Sequence, residues 1–157
     1  MKNTSLYDLL NKMGISYDEV EHPEVFTVEE AQAVKKLIDG TGCKNLLLKD
    51  KNRRCCLYIL HERKRADLKS VANAIGSSRL SFADEKTLFE LLGLEQGAVS
   101  PFGIINDTGN RVILLIDSQL KGKTLLFHPN VNTKTISVKY DDLIRFIEKM
   151  NHRYIII

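Results

Sequence analysis

The sequence lacks the features that mark several large classes of protein. No apolar run approaches the ~20 residues needed to span a bilayer, and none of signal-peptide length follows Met1–Ser5, so we expect a cytoplasmic protein. Its three cysteines are an odd number without framework spacing, which argues against a disulfide scaffold. The composition is otherwise ordinary for a globular protein, and we expect one domain, residues 1–157.

Familiar catalytic signatures are missing as well. The chain contains no Walker loop, no dinucleotide-binding glycine motif, no nucleophile elbow and no zinc-protease helix motif. None of the four histidines stands at metal-ligand spacing from another, so we expect no metal. We also expect no cofactor. A nuclease would need clustered carboxylates or paired histidines, and the sequence shows neither.

Turn residues and apolar periodicity divide the chain into short helices and strands. Helices are predicted to begin after Asn3 or Thr4, Thr27, Asp67, Asp84, and Asp141 or Asp142. Strands are predicted at residues 15–21, 44–48, 54–60, 80–83, 112–116, 124–127, 135–138 and, at an edge, 154–157. Hairpins and helices mix without regular β-α-β alternation, which favours an α+β fold with a mixed or mostly antiparallel sheet.

The rest of the chain is organised around the stretch Thr41–Asp50. Its three leucines between turn signals predict a buried strand, which places Lys44 and Asn45 at the mouth of that strand. A lysine there can present a fixed positive charge to a phosphate or a developing oxyanion, whereas the plainer interpretation is a solvated lysine. The charge of Lys44 could lower the pKa of the neighbouring Cys43 thiol, but no histidine partner marks Cys43 as a nucleophile.

Two loops have the composition of ligand-binding segments. Gly97–Asn106 carries glycines on both sides of Pro101, which allows close backbone approach to a ligand and a fixed loop shape. Phe127–Thr133 is a polar loop that follows a core strand. The alternatives are an ordinary connection for the first loop and a structural cap for the second.

Positive charge is concentrated in one segment of the chain. The net charge is only +3, but Lys49–Arg79 contains nine basic residues against three acidic ones. A surface of this kind could meet a phosphate backbone. A solvated charged face is the alternative interpretation.

Six motifs in sequence order make the chain resemble the YbaK/ProX family of editing domains, which also occur inserted in bacterial prolyl-tRNA synthetases. The motifs are Phe26-Thr27-Val28-Glu29-Glu30-Ala31, Lys44-Asn45-Leu46-x-Leu48-Lys49-Asp50, Arg65-x-Asp67-Leu68-Lys69, Arg79-Leu80-Ser81-Phe82-Ala83, Gly97-x-Val99-x-Pro101-Phe102-Gly103-x-Ile105-Asn106-Asp107, and Phe127-His128-Pro129-x-x-Asn132-Thr133. Within the family the chain looks most similar to the freestanding ProX (PrdX) type, which removes alanine from mischarged proline tRNA. It departs from the family in Cys55-Cys56, which could touch the amino-acid pocket, and in the apolar tail Tyr154–Ile157.

The resemblance implies an α+β domain with a barrel-like central sheet surrounded by helices. It also implies hydrolysis of the ester between an amino acid and the terminal adenosine of tRNA(Pro), with Lys44 as the catalytic residue. The implied substrate-binding residues are Phe26, Thr27, Asn45, Gly97, Ser100, Pro101, Phe102, Gly103, His128 and Asn132. The implied tRNA-binding residues are Arg65, Lys69 and Arg79. The partners would be the acceptor end of mischarged tRNA(Pro) and, transiently, prolyl-tRNA synthetase, with no membrane and no metal.

Several alternatives stay open at this point. A pocket built for proline cannot exclude the smaller alanine, so a second pocket that admits alanine supplies the discrimination; serine and cysteine are the other candidate amino acids. Lys44 could act by electrostatic positioning or as a general base, and positioning is preferred because the sequence shows no second cation near it. The alternative function is a noncatalytic module that binds an amino acid or a charged tRNA end.

Overall fold

The computed structural model of the chain describes residues 2–25 and 27–157. Its α-helices are α1 (Lys2–Lys12), α2 (Val28–Lys35), α3 (Leu68–Ile75), α4 (Glu85–Leu92) and α5 (Tyr140–Lys149). Its strands are β1 (Asp18–Glu21), β2 (Thr41–Lys49), β3 (Cys55–His61), β4 (Ser81–Phe82), β5 (Ile113–Ile116), β6 (Thr124–Phe127), β7 (Lys134–Lys139) and β8 (Tyr154–Ile156). Short 3-10 helices lie at Pro101–Asn106 and Ser118–Leu120. Within the described ranges, no helix combines the length and the apolar character needed to cross a membrane.

Side-chain caps begin three of the helices where the sequence predicts them. Thr27 and Glu30 form the capping box of α2, each side chain bonding to the backbone N–H of the other residue. Asp67 begins α3 and Asp84 begins α4 by accepting a backbone N–H of the first turn. These caps satisfy donors that a helix leaves unpaired at its start, which is why short local patterns predicted them correctly.

Two other predicted helix starts are wrong. Helix α1 begins at Lys2 and so already includes the two residues that were expected to cap it. Helix α5 begins after Lys139, which makes no side-chain cap, and Asp141 and Asp142 lie inside its first turn. There the two carboxylates complement the positive end of the helix dipole, which is a different use of the same residue type.

The eight strands among the described residues form one mixed sheet in the order β1-β7-β6-β2-β3-β5-β8, with β4 pairing to β2 off this path. Antiparallel pairing joins β1 to β7, β7 to β6, β2 to β3 and β2 to β4. Parallel pairing joins β6 to β2, β3 to β5 and β5 to β8. The expected α+β fold with a mixed, mostly antiparallel sheet is confirmed, and β8 supplies the predicted edge strand.

Strand β3 is buried on both of its faces and divides the interior into two layers. Cys55, Leu57 and Ile59 face the larger layer, which α1, α4 and α5 also line. The side chains between them, together with Leu60, face a smaller layer closed by α3. Continuous burial explains why the segment reads as an unbroken apolar run, since alternation is expected only when one face meets water.

An aromatic cluster anchors the 3-10 helix Pro101–Asn106 to the larger layer. Phe102 is fully buried and meets Phe127 and Phe146 edge to face, with ring centroids 5.7 and 5.1 Å away. Edge-to-face pairs of this kind add to the stabilisation from apolar burial. The loop from Gly97 onward is therefore held in place from inside the protein.

We predict that Phe102→Ala lowers the free energy of unfolding by about 3–5 kcal/mol, because it removes a buried ring and leaves a cavity. Urea denaturation followed by circular dichroism measures the change. Phe82→Ala is the matched control, since Phe82 is 58% exposed and its loss should cost far less. Equal stabilities for the two variants would contradict the burial argument.

Candidate functional site

A cleft opens where strand β2 leaves strand β6. The two strands pair only at Thr41 and Gly42, and β2 gains its next neighbour on that edge at Leu48 and Lys49, where β4 pairs with it. Among the described residues, no strand covers the edge of β2 between these points. A cleft of about 280 Å³ occupies the gap, so the fold leaves main-chain groups of a core strand open to a small ligand.

Lys44 and Asn45 both line this cleft, but they do not lie at the mouth of the strand as predicted. Strand β2 starts at Thr41, so both residues lie inside it. Alternation along the strand sends Lys44 to the opposite face from Asn45. The amide oxygen of Asn45 is buried without a hydrogen-bond partner among the described residues, and such an atom can accept a donor from a ligand.

Gly97 lines the cleft in a backbone conformation that favours glycine, with φ near +90°. A Cβ atom here would lie 3.2 Å from Nδ2 of Asn132, and Asn132 in turn donates a 3.2 Å hydrogen bond to the carbonyl oxygen of Val25. Asn132 therefore supports the wall behind Gly97 and does not line the cleft itself. Gly97→Val would strain the backbone as well as narrow the cleft, so it cannot test binding cleanly.

The segment predicted to continue this wall turns inward instead. Ser100, Pro101, Phe102 and Gly103 are buried and none of them lines the cleft. The Ser100 hydroxyl accepts the backbone N–H of Phe102 at 3.1 Å, and a Cβ at Gly103 would lie 2.6 Å from Cδ1 of Leu94. These four residues hold the loop in shape from inside the protein. Of the glycines and the proline expected to approach a ligand, Gly97 is the one that lines the cleft.

Helix α2 forms the outer wall of the cleft. It contributes Ala31, Val34 and Lys35 to the lining. Thr27 is exposed and occupied as the helix cap, so the structure gives it a role in placing α2 and not a place in the lining. Phe26, which the sequence also assigned to the substrate, lies outside the described residues.

His128 lines the cleft as a neutral ring. Its Nδ1 lies 2.9 Å from the carbonyl oxygen of Lys134, and because a carbonyl only accepts, Nδ1 carries the proton. Burial lowers the pKa of His128 below its usual value; the hydrogen bond to the Lys134 carbonyl opposes this shift, and the nearby charge of His22 acts in the same direction as burial. With Nδ1 as the donor, Nε2 is left as an acceptor for a water or hydroxyl in the cleft.

Glu62 and Lys35 are cleft residues that sequence reasoning missed. The Lys35 ammonium lies 3.1 Å from Oε1 of Glu62, which ties α2 to the end of β3. Glu62 faces Gly42 across the hairpin, and a Cβ at Gly42 would fall 1.5 Å from Oε2. Counting residue pairs along β2 and β3 outward from the hairpin turn would have placed Glu62 opposite Gly42. No local sequence motif indicates that Lys35 reaches the cleft.

The cysteines do not behave as the sequence suggested. Burial, with the Glu62 carboxylate as the second cause, raises the pKa of the Cys43 thiol to about 12, so the expected lowering by Lys44 is wrong. Cys55 and Cys56 are buried in the two core layers and do not line the cleft. Neither can select the amino acid from there.

Arg65, Lys69 and Arg79 are all exposed, as a nucleic-acid contact requires. Arg65 precedes α3, Lys69 lies in its first turn and Arg79 precedes β4, and none of the three lines the cleft. The described residues hold no group of three or more histidine, cysteine, aspartate or glutamate side chains arranged to bind a metal ion.

Known proteins resemble the chain over nearly its whole length. The model of the aminoacyl-tRNA editing domain family matches residues 22–146. The prolyl-tRNA editing protein ProX of Acetoanaerobium sticklandii is 37% identical over 88% of this chain and 86% of that protein. The prolyl-tRNA synthetase associated domain-containing protein 1 of Danio rerio is 35% identical over 97% of this chain and 84% of that protein.

Solved structures show the same fold at lower identity. A crystal structure of a proposed trans-editing enzyme for prolyl-tRNA synthetase superposes with a TM-score of 0.74 at 18% identity, covering 98% of this chain and 94% of that one. The hypothetical protein APE2540 superposes with a TM-score of 0.74 at 16% identity, covering 95% of each chain. At these identities the likeness establishes the fold alone.

Proposed function

The chain belongs to the aminoacyl-tRNA editing domain family, and from that premise we propose that it is a trans-editing deacylase whose substrate is Ala-tRNA(Pro). The observation that carries the proposal is the cleft between β2 and β6, which brings a lysine, a neutral histidine and a glycine wall around a volume of about 280 Å³. That volume suits an aminoacyl group. Residues 1–157 would form one such domain.

The reaction is hydrolysis of an ester. Water adds to the ester carbonyl, the tetrahedral intermediate collapses, and the ribose oxygen leaves with a proton as a hydroxyl, releasing alanine and tRNA. Nε2 of His128 accepts a hydrogen bond from the attacking water, and the Lys44 ammonium stabilises the oxyanion. The step requires no covalent nucleophile, which agrees with the high pKa of the Cys43 thiol.

Electrostatic positioning remains the proposed role of Lys44. A second cation, Lys35, does line the same cleft, contrary to the expectation from sequence. Its charge is compensated by Glu62 at 3.1 Å, and the described ion pairs do not include Lys44. The Lys44 ammonium is thus the uncompensated positive charge of the cleft, which is what an oxyanion or a phosphate would meet.

The tRNA would approach along the basic segment. Arg65, Lys69 and Arg79 are exposed and can contact phosphates of the acceptor end, because such contacts need charge and reach and not a fixed pocket. We further propose that the protein acts in the cytoplasm and meets prolyl-tRNA synthetase transiently, since the mischarged tRNA is released there.

We predict that the protein hydrolyses Ala-tRNA(Pro) at least about 100-fold faster than Pro-tRNA(Pro), because we expect the part of the cleft that takes the side chain to admit a methyl group and to exclude the proline ring. Deacylation of both tRNAs, and of seryl and cysteinyl esters, measures the selectivity. Equal rates for alanine and proline would contradict size exclusion. Binding of charged tRNA without any hydrolysis would favour the noncatalytic module instead.

We predict that Lys44→Ala reduces the single-turnover rate by roughly 10²–10³-fold, the scale of one preorganised donor. Stability should change by no more than about 1 kcal/mol, and Lys44→Arg should restore little activity, because guanidinium differs in shape and hydration from ammonium. Lys51→Ala, an exposed lysine of the hairpin turn, is the control. A wild-type rate in Lys44→Ala would show that Lys44 takes no part in the mechanism. A large fall in the melting temperature of this variant would show that Lys44 is needed for stability instead.

We predict that replacing Arg65, Lys69 and Arg79 with glutamine weakens tRNA binding and flattens its salt dependence by at most about one unit of slope for each lost contact. Binding is measured over a series of salt concentrations. The control carries the same change of charge at Lys12, Lys121 and Lys149. If both triple variants behave alike, the three residues form only a solvated face.

A further inference from the structure

We propose that Glu62 is the residue that binds the α-ammonium group of the aminoacyl ester, and so positions the substrate against Lys44. This inference rests on the proposed function. It starts from one observation, a carboxylate held against the backbone of a strand on the wall of the cleft. Among the described lining residues, Glu62 is the one acid.

The hairpin register places the two charges on one face. Lys44 pairs with Leu60, and the Glu62 N–H donates to the Gly42 carbonyl at 3.0 Å, which continues the ladder and sets Glu62 opposite Gly42. Residues two apart share a face, so Lys44 and Glu62 are diagonal neighbours, which lie roughly 7–8 Å apart with their Cβ atoms somewhat closer. They are close enough to hold the two ends of one small group.

Glycine at position 42 leaves the space that the Glu62 carboxylate occupies beside the strand. Because Gly42 has no Cβ, Oε2 of Glu62 occupies the space where that atom would be, 1.5 Å from its ideal position. Oε1 is paired with Lys35 at 3.1 Å and lies 3.5 Å from Nε2 of Gln32. No hydrogen bond or ion pair of the described residues uses Oε2, and this oxygen is left for a ligand.

The substrate has the matching charges. An aminoacyl ester carries an α-amino group, protonated to a large extent near neutral pH, next to the carbonyl that becomes an oxyanion. Without Glu62, the ammonium would enter a cleft that holds Lys35 and Lys44 as its charged residues and would be repelled. When Glu62 is present, the ammonium group of the substrate contacts a carboxylate while the ester carbonyl contacts Lys44. The main chain at Gly97 forms the remaining wall.

Two esters that differ only in the amino group measure what its charge contributes to substrate binding. We compare Ala-tRNA(Pro) with lactyl-tRNA(Pro), in which a hydroxyl replaces the amino group, using wild-type protein, Glu62→Gln and Lys35→Met. We expect the wild type to favour the alanyl ester through a lower KM, by about 10–100-fold, the scale of a charged hydrogen bond. Glu62→Gln should lose this preference, while Lys35→Met should keep it because the carboxylate remains.

A purely structural role predicts a different pattern. If the Glu62–Lys35 pair only fastens α2 to β3, both variants should lose rate equally on both esters, and that result would overturn the inference. An unchanged alanyl-to-lactyl preference in Glu62→Gln would overturn it as well.

Binding provides a second readout that does not depend on hydrolysis. The probe is the amide analogue of alanyl-adenosine, compared by calorimetry with the same compound lacking its amino group. Failure of the wild type to hydrolyse any aminoacyl ester would refute the proposed function. The loss of amino-group preference on Glu62→Gln in this binding assay would still support the inference, and equal binding of the two compounds to wild-type protein would refute it.

Discussion

The separation of β2 from β6 after Gly42 is the constraint on which the site depends. A core strand normally has both edges paired, because buried main-chain groups left without partners are costly. Here β2 pairs with β3 along its length but with β6 only at Thr41 and Gly42. The resulting gap gives a small ligand access to rigid main chain, and the hairpin fixes which side chains surround it.

The charges of the cleft follow from the same hairpin. Its register aligns Glu62 with Gly42 and puts Lys44 one step further along the same face. Lys35 reaches the carboxylate from α2, so the wall formed by this helix is coupled electrostatically to the strand. His128 adds a neutral acceptor, because burial lowers its pKa and the Lys134 carbonyl holds the remaining ring proton on Nδ1. The site therefore combines the cation of Lys44, which is unpaired among the described residues, the carboxylate of Glu62 that Lys35 also contacts, and the neutral ring of His128.

Much of the fold could be predicted because its signals are local. The caps at Thr27, Asp67 and Asp84 each depend on residues within one turn, and the strands of the hairpin are bounded by turn residues. The prediction that Asp141 or Asp142 caps α5 failed because the sequence alone does not distinguish an aspartate in the first turn of a helix from an aspartate at its cap. The site was harder: Phe102 is buried by rings far along the chain, and Lys35 reaches the cleft only through tertiary packing.

The most direct test of the central claim is where an aminoacyl group binds. Titration of labelled protein with the amide analogue of alanyl-adenosine, followed by NMR amide shifts, measures this residue by residue. If the aminoacyl group binds in the cleft between β2 and β6, we expect the largest shifts at residues 42–45 and 126–128, because these residues line it. Shifts centred instead on the hairpin turn at residues 50–53 and on α4, with the cleft unchanged, would contradict it.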